Sequence, residues 1–521
     1  MKKEASGSRS LKSQFFPNFI SNFALIFVQG ASALILTPFL IRHLDLELFG
    51  IVMLFVSISN YVLVFTVAMN NSAGRELILD FKSRDKEKAN RTFSSFFFGN
   101  LFWVLLLLPV VLIANIFITR IFDIPSGHER GAHYLFVVVA ISFLLQFVRG
   151  AFSVSSWSLN RFDIRNFNQV IYFALRLLLL VLFFRLFSAD LYVVANCYLL
   201  AALVWLAMDY LAYRRLTPQI RLSLRLFDGA VLRKLWALSF WLTIGQVGTF
   251  LFFKSSLLLT NMLLGAQAGG NYAAVMQLAV LIQQVGFSIG GILQPTFISL
   301  YGDGDREKMI RKTSQAFKLM GLLMMLPVVF IAGAAKWILA IWLGRNFAAL
   351  DFLLVMMLFS VFMETACRPL YSLNFASNKI RIPAVVTILL GTMNVLLVVV
   401  FVKLGLGLTG VALAGLISLN LRGLLFTPVY SALIQKLGAL FYLKKAMALL
   451  AAALIVSVAV FLAANWLAPG GWPGLVLFFG GCAAAYLVIV YLRVLNRDDR
   501  RFIHELLPGA WLQRKFRFLI K

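Results

Sequence analysis

The chain has 521 residues, 61% hydrophobic and only 13% charged, with a mean hydropathy of +0.88. Soluble domains carry about a quarter charged residues, so this composition excludes a water-solvated enzyme and calls for a bilayer as solvent. A net charge of +27 would suggest nucleic acid for a soluble protein, but its distribution assigns it to membrane topology instead.

After a basic, polar tail over 1–16, with no cleavable signal expected, apolar runs of about 20 residues recur, each long enough to span the hydrocarbon. The predicted spans are 17–40, 47–69, 93–118, 133–152, 169–187, 190–211, 236–262, 272–300, 316–335, 350–374, 383–403, 408–433, 443–467 and 473–495. They make an all-α polytopic protein of about fourteen helices. Pro17, Pro38, Pro383, Pro428 and the turn Ala468-Pro469-Gly470-Gly471-Trp472-Pro473 are expected to mark their ends. With the N-terminus in the cytoplasm, and residues near the span ends counted with the adjoining segments, 36 of the 48 lysines and arginines fall in inside segments and 7 in outside loops. That asymmetry is the positive-inside signature and places both termini in the cytoplasm. All connecting loops are short, so no extramembrane catalytic domain is expected.

The junction Leu44-Asp45-Leu46-Glu47-Leu48-Phe49-Gly50 matches Leu264-Gly265-Ala266-Gln267-Ala268-Gly269-Gly270 in kind, 220 residues later. The same offset carries the later spans of the first half near those of the second. The domain organisation expected is therefore a six-helix bundle over 17–211, a cytoplasmic linker over 212–235 and a second bundle over 236–433. Two extra helices over 434–495 and a cytoplasmic tail over 496–521 follow. Parallel repeats of this kind place a substrate route between the halves.

Polar side chains are costly in hydrocarbon and turn toward a bundle interior or a wet cavity. At about 100° per residue, Asn18, Asn22 and Gln29 share a stripe of the first span. Thr243, Lys254 and Asn261 share one of the seventh, and Gln277, Gln284, Ser288 and Gly291 one of the eighth; the second adds Ser57, Asn60 and Asn70. These are the paired openings of the two halves, so the stripes predict a substrate cavity. The competing reading is that the amides and hydroxyls bind neighbouring helices to one another. Lys254, mid-span, either faces that cavity as a partner for a phosphate or snorkels outward. Arg176 has the same two options, and Arg149, close to the inner end of its span, is expected to snorkel. Glu364 and Arg422 share a depth. They read as a neutralising pair, with Arg368 at i+4 a competing partner for Glu364, or as a protonatable coupling site.

The stretch from Asn22 through Pro38, then Arg42 to Gly50 and Ala73-Gly74-Arg75-Glu76, resembles the opening of bacterial oligosaccharide flippases. Asn160-Arg161-Phe162-Asp163-Ile164-Arg165-Asn166 is similar to their loop between helices 4 and 5. Gly270-Asn271-Tyr272-Ala273-Ala274 is similar to their start of helix 8. With its count of six, six and two helices, the chain resembles throughout the polysaccharide transporter branch of the multidrug/oligosaccharidyl-lipid/polysaccharide superfamily. That resemblance implies flipping of undecaprenyl-diphosphate-linked oligosaccharide across the bacterial inner membrane by alternating access. The product would feed O-antigen, lipopolysaccharide or exopolysaccharide assembly, with glycosyltransferases and a polymerase as partners and no nucleic acid. The chain departs from the pattern at Lys254-Ser255-Ser256, where many relatives carry an acidic residue. Nor has it an acidic residue in its first span, which argues against a drug/cation antiporter.

The alternatives are a peptidoglycan-precursor flippase or multidrug exporter of the same superfamily, and a membrane polymerase or glycosyltransferase. For the last, Asp303-Gly304-Asp305 imitates a metal-binding pattern but sits in a Gly-rich turn. His43, His128, His133 and His504 have no metal-ligand spacing. The chain is expected to be no enzyme and to need no metal or cofactor.

Overall fold

A computed structural model describes residues 11–82, 85–159, 161–302 and 305–506. The described chain is helical. The helices are α1 (Leu11–Leu44), α2 (Leu46–Lys82), α3 (Lys86–Ile121), α4 (Glu129–Ser158), α5 (Phe162–Leu186), α6 (Leu191–Leu216), α7 (Gly229–Leu264), α8 (Ala266–Gly302) and α9 (Arg306–Gly333). Then come α10 (Ala335–Trp342), α11 (Asp351–Ala366), α12 (Arg368–Ala376), α13 (Arg381–Lys403), α14 (Gly407–Asn420), α15 (Thr427–Ile434), α16 (Leu440–Leu467), α17 (Gly471–Ile489) and α18 (Arg497–Leu506). Among the described residues, 13 helical segments are long and apolar enough to cross a membrane; α2 is the fourteenth expected span.

Several boundaries differ from expectation. Pro17 and Pro38 lie inside α1 and do not end it. The predicted span 350–374 breaks at Cys367 into α11 and α12, and 408–433 is interrupted by a π-helical segment, Leu421–Phe426. The expected outer loop after α9 holds α10, and the expected C-terminal tail begins with α18.

The 220-residue offset is written into the backbone. A single residue of positive φ separates α1 from α2 (Asp45, 71°) and α7 from α8 (Gly265, 89°). Asp85 and Asp305 both cap the helix that follows, accepting from the Lys88 and Lys308 amides at 2.9 Å. Asp305 is thus a helix cap; Asp303 and Gly304 lie outside the described residues.

The chain forms two compact units, one of Met1–Phe250 with Leu257–Ala274, the other of Leu251–Ser256 with Val275–Lys521. In the first, α4 and α6 pack side by side, and Phe93, Phe96, Phe152 and Tyr213 fill a core with Leu235. The start of α7 belongs here because Leu232 occupies the space a side chain on Gly99 would need, Trp103 meets Trp236 at 5.2 Å, and Lys234 pairs with Glu76 at 2.5 Å. The segment before α7 is tied to the same unit. The Arg221 amide donates to Asn90 Oδ1, the Asp228 amide to Ser95 Oγ, and the Tyr213 hydroxyl to the Ile220 carbonyl. The first turns of α2 and α8 meet at Gly50 and Gly270. A Cβ on Gly270 would stand 2.2 Å from the Leu46 carbonyl oxygen, and one on Gly50 2.7 Å from the Gly270 nitrogen.

In the second unit, α9 packs on α11 and α16, and α13 on α14. Phe297, Met309, Ala316, Leu373 and Phe502 form a cluster that seats α18.

Candidate functional site

The second unit holds a charged cluster between α11, α12 and the π-helical segment. Gly423 makes it possible: a Cβ there would press 3.0 Å against the Glu364 amide, so only glycine lets the two backbones approach this closely. The contact is completed by the Cys367 thiol donating to the Gly423 carbonyl. Glu364 is fully buried. Its Oε1 accepts from Arg368 Nη2 at 2.6 Å and its Oε2 from the Tyr371 hydroxyl at 3.0 Å. Both oxygens are therefore engaged before Arg422, whose Nη1 stands 3.6 Å away, beyond hydrogen-bonding distance. Arg422 is 9% exposed, and its Nε and Nη1 are buried without a hydrogen-bond partner, as is Arg368 Nε. Arg368 lies 3.5 Å over the Phe287 ring, and the Arg422 guanidinium 5.7 Å from Phe252. The two partner readings for Glu364 are thus both present, with Arg368 the tighter. The cluster carries one more positive charge than negative.

Lys254 belongs to the same unit, on a piece of α7 that α13 holds in place. Asn394 Nδ2 donates to the Leu251 and Phe252 carbonyls and lies 3.2 Å from Ser256 Oγ. Ser255 and Ser256 each donate back to the carbonyl four residues earlier. Lys254 is half-buried and pairs with no carboxylate among the described residues.

The first unit has its own pair. Arg149 Nη1 meets Asp209 Oδ2 at 2.7 Å, and Asn168 donates to the other oxygen at 2.7 Å. The Arg149 guanidinium lies flat over Trp205 at 3.7 Å. Arg149 therefore does not snorkel; a buried carboxylate holds it inward. Arg176 is also turned into the bundle, 4.7 Å from the Tyr198 ring and among Tyr172 and Phe173, rather than reaching for water.

The polar stripes divide. Asn261 is not available to a ligand: it is 1% exposed, its Oδ1 accepts from the Asp123 amide and its Nδ2 faces the Asp123 carbonyl, while Asp123 Oδ2 accepts from the Ala266 amide. Its amide joins the α3–α4 loop to the α7–α8 junction. Asn18 likewise caps the start of α5 by accepting from the Asp163 amide at 2.9 Å. Asn22, Gln29 and Gln284 are half-buried, Asn70 has a buried Oδ1 without a partner, Thr243 is buried and Gln277 half-buried. The Asn60 side chain lies outside the described residues. Thr243 and Asn261 fall in the first unit and Lys254 in the second. Sequence reading missed Asp209, a lone carboxylate near the end of an apolar run. It also missed Asn394, which nothing distinguished from other amides in apolar helices.

The family described as "Polysaccharide biosynthesis protein" matches residues 16–301, more than half of the chain. The chain belongs to that family. It is a multi-pass membrane protein. A relative from Bacillus subtilis (strain 168), "Uncharacterized membrane protein EpsK", is 28% identical over 492 residues, covering 94% of this chain and 97% of that protein. Among solved structures, the lipid II flippase MurJ in an inward closed conformation superposes with a TM-score of 0.62 at 13% identity, over 92% of this chain and 98% of that one. An inward-facing multidrug resistance transporter of the MATE family gives 0.60 at 14% identity, over 85% and 96%. These likenesses establish the fold of this polysaccharide biosynthesis protein.

Proposed function

We propose that this member of the polysaccharide biosynthesis family flips an undecaprenyl-diphosphate-linked oligosaccharide from the cytoplasmic to the outer leaflet of the inner membrane by alternating access. Its glycan would go to surface polysaccharide. The observation that carries this reading is the sign of the charge left over at membrane depth. Around Glu364 two guanidiniums face one carboxylate that is already saturated, and Lys254 has no carboxylate partner among the described residues. Unpaired cations in a low-dielectric setting are costly. A diphosphate would supply the bidentate, charge-assisted acceptors that guanidinium and ammonium groups favour. A cationic drug would need the opposite lining.

Lys254→Ala is the test. In a strain whose surface polysaccharide depends on this protein, expressed at native level, exported polysaccharide should fall by roughly tenfold or more, the weight of one charge-assisted contact. Membrane content should stay unchanged. Undiminished polysaccharide would remove Lys254 from the substrate path. A fall in cell-wall growth in place of polysaccharide would transfer the reading to a peptidoglycan precursor. Reporters fused after Leu264 and after Asp228 should report outside and inside respectively.

A further inference from the structure

Well apart in sequence from Lys254, the second unit carries a cavity of about 550 Å³ lined by α9, α16 and the segment that joins α17 to α18. Its wall changes character along its length. Leu322, Leu449 and Ala452 give one side of hydrocarbon, on helices apolar enough to cross the membrane. Arg311, Lys318, Lys445, Asp498 and Asp499 give the other side charge.

Two of those charges are consumed internally. Lys318 Nζ donates to Asp499 Oδ2 and to the Val494 carbonyl, each at 2.7 Å. Asp499 is buried and also accepts from the Asn496 amide at 3.2 Å. This pair holds α18 against α9. The rest remain available. Lys445 Nζ gives one hydrogen bond, to Ser314 Oγ at 2.9 Å, leaving two of its three donors. Arg311 and Asp498 are exposed and pair with no described residue. The rim therefore offers cationic donors and one free carboxylate beside an apolar wall.

We propose that this cavity seats a zwitterionic aminophospholipid of the phosphatidylethanolamine class. Its phosphate lies on Arg311 and Lys445, its primary ammonium on Asp498 and an acyl chain along Leu322, Leu449 and Ala452. Each part of the rim selects for that chemistry. An anionic headgroup without an amine would set its phosphate near Asp498 and offer that carboxylate hydroxyls at most, with no compensating positive charge. A choline headgroup has a cation but no N–H to donate. A free phosphate would leave the apolar wall bare. Lysines and arginines at the ends of membrane helices are placed at headgroup level. The seat is independent of the translocated substrate.

The experiment is lipid retention by the purified full-length protein, counted by native mass spectrometry after loading with phosphatidylethanolamine, phosphatidylglycerol or phosphatidylcholine. The wild type should retain phosphatidylethanolamine in preference to both others. Asp498→Asn should cut that preference by about three- to fivefold, the size of an exposed charge pair. Arg311→Gln with Lys445→Gln should lower retention of phosphatidylethanolamine and phosphatidylglycerol alike. Ala448→Trp should displace the lipid by filling the cavity without altering a charge. Equal retention of the three lipids, preference for phosphatidylglycerol, or an unchanged preference in Asp498→Asn would overturn the proposal. Arg311 and Asp498 are exposed, so an unaltered melting midpoint in their variants keeps the comparison clean.

Discussion

The two units each bury an ion pair, and they fill it differently. In the first, Asp209 spends one oxygen on Arg149 and the other on Asn168, and Trp205 backs the guanidinium. In the second, Glu364 is saturated by Arg368 and Tyr371, and Arg422 stands 3.6 Å off with idle donors. α6 runs unbroken through Asp209, whereas Arg422 lies in the π-helical segment Leu421–Phe426. Such bulges recur at functional sites. Arg149 Nε is likewise buried without a partner, so what separates the clusters is the filling of the carboxylate: a guanidinium–amide clamp on Asp209, and a guanidinium and a hydroxyl on Glu364 with a second guanidinium standing off.

The largest effect should come from opening the clamp. Asp209→Ala strands Arg149 in the bundle and should cost about 3–5 kcal/mol, measured by denaturant unfolding in micelles. Adding Arg149→Met should recover most of it, because two well-packed apolar residues replace a pair that was costly to bury. The matching change in the second unit should be milder. Arg422→Met leaves Glu364 with both of its tighter partners, so the loss should be about 1 kcal/mol or less, while polysaccharide export drops. A cost equal to that of Asp209→Ala would erase the distinction between the units. A third comparison, of similar size, tests the backbone repeat. Asp85→Ala and Asp305→Ala should each lower stability by about 1 kcal/mol, and by the same amount, because both aspartates cap with the same bond.

Much of this architecture was legible in the chain. Apolar runs of membrane length locate helices because only internally hydrogen-bonded backbone survives in hydrocarbon. The 220-residue offset located the α1–α2 and α7–α8 breaks. The DKEK and DREK openings of α3 and α9 carried the same offset more sharply. What stayed hidden depended on how helices rotate about one another. Asn261 and Lys254 lie on one side of α7 by angle alone, yet Asn261 is sealed against Asp123 and Lys254 is not. Periodicity gives the face of a helix but not what covers it. The prolines misled for a related reason: Pro17 and Pro38 are carried inside α1. In membrane helices, neighbouring groups make up for the backbone donor that proline lacks.

The abutting glycines Gly50 and Gly270 occupy corresponding places in the two junctions. A methyl group on either would have to wedge the opposite helix start away, and compensation from the other side is impossible because nothing smaller than hydrogen exists there. Each position is therefore closed to any residue larger than glycine for as long as the two helix starts abut.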